Sequence, residues 1–260
     1  TFKKYLLVNQ PGMVLKSIVA VFLLLLLTSF LPFGILPEKQ GVRRGEENTR
    51  VESKIDEMYQ SLQEASLKSE AFRYALLGFI SLNAEGLVKQ DSLLSIIDYS
   101  LPSSAERLFI IDLKNKKMHC RSLVAHGRNS GEDRSTRFSN SPQSHKSSLG
   151  FYITGSTYRG AHGYSLLLNG IDTGYNDRAR ARAIVIHGAG YVSGDYIARY
   201  GRLGRSLGCP ALPHKSNAGI IDLIKEGTVL FGYYPDPDYL INSTILSTLD
   251  EPLNNLPEFF

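Results

Sequence analysis

The sequence predicts an α+β protein in which helices come first and a mostly antiparallel β-core follows. Two observations carry this expectation. Between Val51 and Ile80 apolar residues recur at threes and fours, the helical period. From Arg107 onward they come instead in short runs punctuated by turn residues, as strands do. A third observation places a membrane segment ahead of the domain: an almost unbroken apolar run from Ile18 to Leu36 stands behind Lys3, Lys4 and Lys16.

Taken in order, that apolar run is long enough to span a bilayer at about 1.5 Å rise per residue, and the basic residues hold its N-terminal end in the cytoplasm. Residues 1–37 therefore read as a signal anchor, with a cleaved signal peptide as the alternative, and the chain beyond is expected outside the cytoplasm. Residues 38–100 read as a charged linker, Glu38 to Glu52, followed by helices. The first carries Val51, Ile55, Met58, Tyr59 and Leu62 on one face, the second runs from Ala71 to Ile80, and a third from Asp91 to Tyr99.

The main domain is expected over residues 101–235. Leu108–Leu113 and Met118–Val124 flank Lys114-Asn115-Lys116-Lys117 as a hairpin. His126 to Ser148, rich in Ser, Arg and Asn, reads as a long surface loop. Gly150–Thr154 is a strand, and Tyr164–Leu168 is expected to turn back at Asn169-Gly170. Arg178, Arg180 and Arg182 alternate with alanines, so a strand there would put all three on one face. A helix over Ser216–Lys225 and a strand over Thr228–Tyr234 complete the domain, and residues 236–260, with three prolines, read as a loosely packed tail.

One stretch carries chemistry. The apolar run Ala183–Ile186 delivers His187, a short helix capped by Ser193 and closed by Gly201 follows, and the turn Gly204-Arg205-Ser206-Leu207-Gly208 delivers Cys209 ahead of Pro210. A thiolate is the nucleophile of cysteine chemistry, and a histidine can take the thiol proton. The N–H groups of Gly208 and Cys209 are the nearest donors for a developing oxyanion. Arg205, Ser206, His162 and His145 are the candidate substrate contacts.

His187 followed by Gly-Arg-Ser-Leu-Gly-Cys resembles the signature of the YkuD-type L,D-transpeptidases, and the Gly-Arg-Ser-x-Gly-Cys-Pro-Ala form resembles their divergent murein L,D-transpeptidase catalytic-domain branch. Leu207 stands where the commoner pattern has a second histidine. The resemblance extends from about Glu70 to Pro235 and includes Leu123-Val124-Ala125-His126-Gly127, Ser144–Gly150 and Asn176–Arg180. It implies a sandwich-like β-core and makes residues 101–235 the catalytic domain. It further implies acyl transfer on peptidoglycan stem peptides through a Cys209 thioester, in the cell envelope, with no cofactor. Water as acceptor would make the enzyme an L,D-carboxypeptidase. A membrane-tethered, non-catalytic wall-binding module is the alternative from another class.

The totals bound these readings. A hydrophobic content of 43% supports a packed core, and a net charge of +4 suits an envelope polymer bearing carboxylates but is too small to argue for nucleic acid. Two cysteines, Cys120 and Cys209, permit one disulfide at most, and a nucleophilic Cys209 must be free of it. With no His-Glu-x-x-His or paired Cys-x-x-Cys, no metal site is expected.

Overall fold

The computed structural model describes residues 38–247. The chain divides into two compact units between Glu46 and Glu47, and the described part of the first is the opening of helix α1, Glu38–Leu62. The linker expected at Glu38–Glu52 is thus helical. Its Glu, Gln, Lys and Arg residues are good helix formers. The apolar run 18–36 and the last thirteen residues, 248–260, lie outside the described part. Among the described residues no helix is long and apolar enough to cross a membrane.

In the second unit α1 buries Val51, Ile55, Met58 and Leu62, the face its periodicity marks. Helix α2, Ser69–Ala84, lies on the sheet with Gly78 against Phe151. A Cβ at Gly78 would fall 2.0 Å from the Phe151 ring, so the ring fills the place of a side chain. Phe151 in turn stacks on Phe231, with centroids 4.2 Å apart.

The strands are β1 Leu93–Asp98, β2 Leu108–Asp112, β3 Lys117–Ser122, β4 Gly150–Gly160, β5 Gly163–Gly170, β6 Val185–Ala189, β7 Ala211–Pro213 and β8 Val229–Tyr233. They form one sheet in the order β3-β2-β1-β8-β4-β5-β6-β7. Pairing is antiparallel except for β1 with β8 and β6 with β7. The mostly antiparallel core is therefore present, but as one sheet rather than two, because β8 joins its halves. Past β3 the chain bridges from Ala125 to Ala211 of β7, which brings the two ends of the sheet together.

Three expectations about single elements are corrected. Asp91–Tyr99 is not a helix: its core, Leu93–Asp98, is strand β1, with every residue buried. A continuous apolar run with both faces covered has no period by which to tell strand from helix. The β4–β5 hairpin turns at Ala161–His162, where Gly163 has φ 73°, and not at Asn169-Gly170, which ends β5. A Cβ on Gly170 would fall 2.0 Å from the Asn176 carbonyl, so close backbone approach is the reason for that glycine. The alternating arginines sit in successive turns rather than a strand, with Arg178 and Arg180 exposed and Arg182 half-buried.

The 126–148 segment has the expected lack of strands, yet His126, Ser130, Ser135, Ser147 and Ser148 in it are buried. The start of the tail is also packed. Helices α5, Pro237–Asn242, and α6, Thr244–Ser247, follow, and helix α5 is capped by Asp236. The buried Asp172 carboxylate accepts from Phe151 N (2.6 Å), Tyr239 Oη (3.1 Å) and Ser243 Oγ (2.5 Å), and so fastens these helices to the sheet. Helices α3, Gly194–Tyr200, and α4, His214–Ile224, lie between β6 and β7 and after β7.

Candidate active site

Strand β6 carries His187 at its middle, buried, paired across to Ser165 of β5 and alongside Ala211 of β7. Its Nδ1 lies 3.0 Å from the Gly188 carbonyl oxygen. A carbonyl can only accept, so Nδ1 bears the proton and Nε2 is left as the basic nitrogen. The neighbouring backbone thus orients the imidazole, with no carboxylate involved. Burial, followed by the charges of His162 and His214, holds the imidazole pKa below its ordinary value, against the Gly188 hydrogen bond, which raises it.

Helix α3 forms as its sequence requires: Ser193 Oγ accepts from Tyr196 N, and Gly201 closes it at φ 71°. The chain then makes the turn that ends at Cys209. Ser206 Oγ donates to the Cys209 carbonyl (2.6 Å) and accepts from Gly208 N (3.0 Å), so one buried hydroxyl closes the turn on itself. Gly208 takes φ 127°, and a Cβ there would meet the Lys146 carbonyl at 2.9 Å. Cys209 Sγ accepts from Val185 N (3.5 Å) and donates toward Ala183 O (3.6 Å), at the start of the strand that carries His187 two residues on. Burial pushes the thiol pKa up, against the Val185 N–H and the charge of Arg182, which push it down. Cys209 and Cys120 are both free.

Behind the turn lies a cradle that the sequence did not disclose. Arg107 is wholly buried and donates to Val124 O, to Leu101 O and to His126 Nδ1 (2.7 Å). Because arginine only donates, His126 Nδ1 accepts, and Nε2–H points to the Gly131 carbonyl at 3.3 Å. Burial first and the Arg107 charge second hold His126 down to about 4. The same Gly131 oxygen accepts from Arg205 Nη1 (3.0 Å), and the His126 carbonyl accepts from Ser206 N (2.9 Å). Ser147 Oγ accepts from Gly127 N and donates to the Gly208 carbonyl. Segments 125–131 and 145–148 therefore grip the Cys209 turn from two sides.

On the far side of His187 opens a cleft of about 500 Å³ lined by His162, Tyr164, His187, Tyr191, His214 and Asn217 among others. The His162 ring stacks on His187, with centroids 4.4 Å apart and planes at 24°. Asn217 Nδ2 donates to Tyr164 O (2.9 Å), which fixes the amide orientation and leaves the buried Oδ1 without a partner.

Set beside known proteins, the sequence pattern of the L,D-transpeptidase catalytic domain matches residues 63–233, more than half of the chain. The chain belongs to the L,D-transpeptidase catalytic domain family. Solved structures similar to it include L,D-transpeptidase 1 of Mycobacterium tuberculosis (14% identity, 55% of this chain and 62% of that one, TM-score 0.30). Others are an L,D-transpeptidase from Mycobacterium smegmatis (11%, 55% and 59%, 0.33) and the helical cell shape determining protein Pgp2 of Campylobacter jejuni (14%, 63% and 57%, 0.33). The chain spans less than two thirds of the length of each. No curated protein matches it.

Against this L,D-transpeptidase framework the expected contacts divide. His187 and His162 come together at the cleft, and Cys209 sits at the start of β6. Arg205 is engaged by Glu132 (2.6 Å), Arg128 O and Gly131 O, so its guanidinium braces the loop rather than offering itself to a ligand. Ser206 is spent within the turn. The Gly208 N–H is given to Ser206 and is not a spare oxyanion donor. His145 faces Arg128, whose Nη2 lies 2.8 Å from its Nδ1, away from the cleft lining. Leu207, where the commoner family pattern has a histidine, is 60% exposed. Arg107, His126, Ser147 and Asn217, which lie around the Cys209 turn and the cleft, are not singled out by the sequence. Of these only His126 and Ser147 lie in stretches that carried a similarity, Leu123–Gly127 and Ser144–Gly150, without a role.

Proposed function

We propose that this protein is a membrane-anchored, cysteine-dependent acyl transferase acting on peptidoglycan stem peptides outside the cytoplasm. Residues 18–36 form the anchor, and Cys209 and His187 are the catalytic pair. The observation that carries this reading is the protonation pattern of the pair. His187 donates Nδ1–H to Gly188, which leaves Nε2 as the base, on the same strand against whose start the Cys209 sulfur rests. Burial disfavours both the thiolate and the imidazolium, so the resting pair is neutral thiol and neutral imidazole.

The reaction then runs by general base catalysis. His187 Nε2 takes the thiol proton as Sγ attacks the carbonyl carbon of the L-centre residue that precedes the terminal D-residue. The oxyanion is assigned to the N–H of Cys209. The C–N bond breaks, His187 returns the proton to the departing D-amino acid, and a thioester remains on Cys209. An amine then attacks the thioester and its proton passes to His187, which gives a cross-linked product and restores the thiol. Water in place of the amine gives L,D-carboxypeptidase activity at the same site.

The test is an intact-mass measurement on protein incubated with a carbapenem, and separately with a stem tetrapeptide plus a D-amino acid acceptor. The expected result is a single covalent adduct in the first and an exchanged terminal residue in the second, both lost in Cys209→Ala. A protein that stays unmodified and turns over neither compound would point to the non-catalytic wall-binding module. Adducts on Cys209→Ala would remove the nucleophile assignment.

A further inference from the structure

Arg182 stands out once the site is assembled. Its guanidinium is half-buried and held by four acceptors, all from the 139–148 loop. Nη1 donates to Ser139 O (2.7 Å) and to Ser148 Oγ, and Nη2 to Lys146 O (2.6 Å) and Ser144 Oγ (3.2 Å). All four are neutral, and among the described residues Arg182 forms no ion pair with a carboxylate. The charge is fixed in place yet not neutralised. The position is specific as well: Nη2 lies 3.4 Å from where a Cβ would stand on Gly208, the residue before the nucleophile.

We propose that Arg182 is the electrostatic positioning residue of the nucleophile: its clamped, uncompensated positive charge stabilises the Cys209 thiolate as it forms. This rests on Cys209 being the nucleophile. A buried thiolate without a counter-charge is costly, and a backbone donor alone offsets only part of that cost. An arginine cannot lose its proton in the working range, so it supplies a constant field while His187 handles the proton. Burial lowers the Arg182 pKa and raises that of Cys209, and the coupling between the two opposes both shifts: Arg182 favours the thiolate and Cys209 the guanidinium. The other titratable groups within electrostatic reach of the sulfur, Tyr99 and Tyr191, have phenol pKa values raised chiefly by burial and stay neutral. His187 is neutral at rest. Among the described residues that act on the thiol, Arg182 is then the one full charge. The loop that holds it, 139–148, contains Ser144-His145-Lys146-Ser147-Ser148, a stretch whose role the sequence left open.

The experiment titrates the thiol itself and needs no acyl transfer. Full-length protein with Cys120→Ser, so that Cys209 is the single thiol, is alkylated with iodoacetamide from pH 5 to 10.5, and rate constants are plotted against pH. In Arg182→Gln the midpoint is expected to rise by about one pH unit or more, with the high-pH plateau retained. In Arg182→Lys, which keeps the charge but gives up the four-way clamp, the midpoint is expected to stay near that of the parent. A folded Arg182→Gln protein with an unmoved midpoint would overturn the proposal. So would a Lys variant that shifts as far as the Gln variant, because the clamp and not the charge would then be at work. Should the Gln variant fail to fold by circular dichroism, Arg182→Met is titrated in its place by the same criterion. Loss of the proposed activity would show separately, as a wild-type protein that alkylates with the expected profile but forms no acyl-enzyme.

Discussion

The two halves of the site are built on opposite principles. On the Cys209 side, segments 125–131 and 145–148 lock a turn in which side-chain and main-chain donors and acceptors answer one another: Ser206 with Cys209 and Gly208, Ser147 with Gly127 and Gly208, Gly131 with His126 and Arg205. On the base side, one strand holds His187 through its own neighbour's carbonyl, and beyond it lies an open cleft with exposed His162 and His214 and an unanswered Asn217 Oδ1. On the proposed reading, rigidity is concentrated where an atom attacks from a fixed place, and unsatisfied polarity where a molecule is received. The turn would then set position and the cleft recognition.

Four tests sharpen or break this contrast. The largest effect is expected from His187→Gln, which keeps a polar group of similar size but removes the base. Acylation by a carbapenem near neutral pH should fall by about 10²–10⁴-fold, and the deficit should shrink above the thiol's own ionisation. A folded variant that acylates at the parent rate from pH 6 to 9 would make the histidine structural.

Next comes a matched pair of glycines. A Cβ at Gly127 would lie 2.5 Å from the His145 carbonyl and 3.0 Å from Gly208 Cα, whereas at Gly190 the nearest atoms are 3.9 Å away. Gly127→Ala must shift the backbone under the turn, and a displacement near 1 Å there costs about 10²-fold in rate. Gly190→Ala, beside the cleft, should stay within about twofold. Equal effects of the two would erase the distinction between the sides.

The cradle should also show in the dependence of stability on pH. His126 titrates near 6.5 when unfolded and is held down to about 4 when folded, so the unfolded chain binds the extra proton more readily. Its contribution to stability is therefore whole above pH 6.5 and is lost as pH falls from there through about 4, a total of roughly 3 kcal/mol. Asp98 and Asp172, whose pKa values burial raises, pull in the opposite sense at the low end of this range. Comparing denaturant midpoints of the parent with those of His126→Gln at pH 7, 5.5 and 4.5 isolates the histidine: the parent should lose more. Parallel pH curves would mean that His126 is not the titrating group.

The smallest effect belongs to His162. Its charge helps to hold the His187 pKa down, so His162→Ala should let that pKa rise toward its ordinary value and move the acid limb of the acylation profile to higher pH. The rate on the plateau should be nearly unchanged. A plateau that collapses instead would give His162 a direct part in the chemistry.

How much of this was legible beforehand follows from the range of the forces involved. Features fixed by near neighbours in sequence could be read directly: the Ser193 cap and Gly201 stop of α3, the β2–β3 hairpin, the buried face of α1, and the delivery of Cys209 by a glycine-flanked turn. Those fixed by distant segments could not. Leu93–Asp98 became a strand because β2 and β8 cover both its edges. Asn169-Gly170 looked like a turn because the crowding by Asn176 that requires its glycine arises only in three dimensions. Arg182 read as one of three arginines on a single strand face, and the acceptors of the 139–148 loop that hold it are set only by the fold. Buried polar networks such as Arg107 with His126 leave no periodic trace, since each residue finds its partner across the fold.

One further consequence follows from the place of β8. It is the last strand in sequence among the described residues, yet it inserts between β1 and β4 at the middle of the sheet. Until residues 229–233 arrive, the chain can offer only two half-sheets, β3-β2-β1 and β4-β5-β6-β7, each with an unpaired central edge. Folding therefore waits on the far end of the chain, and the pairing of β1 with β8 closes a loop of well over a hundred residues. Such long-range closure belongs to the slow end of folding, about milliseconds to seconds, and the two bare edges are templates for aggregation in the meantime. A chain cut short before Val229 would not be a smaller enzyme. It would be a pair of open edges.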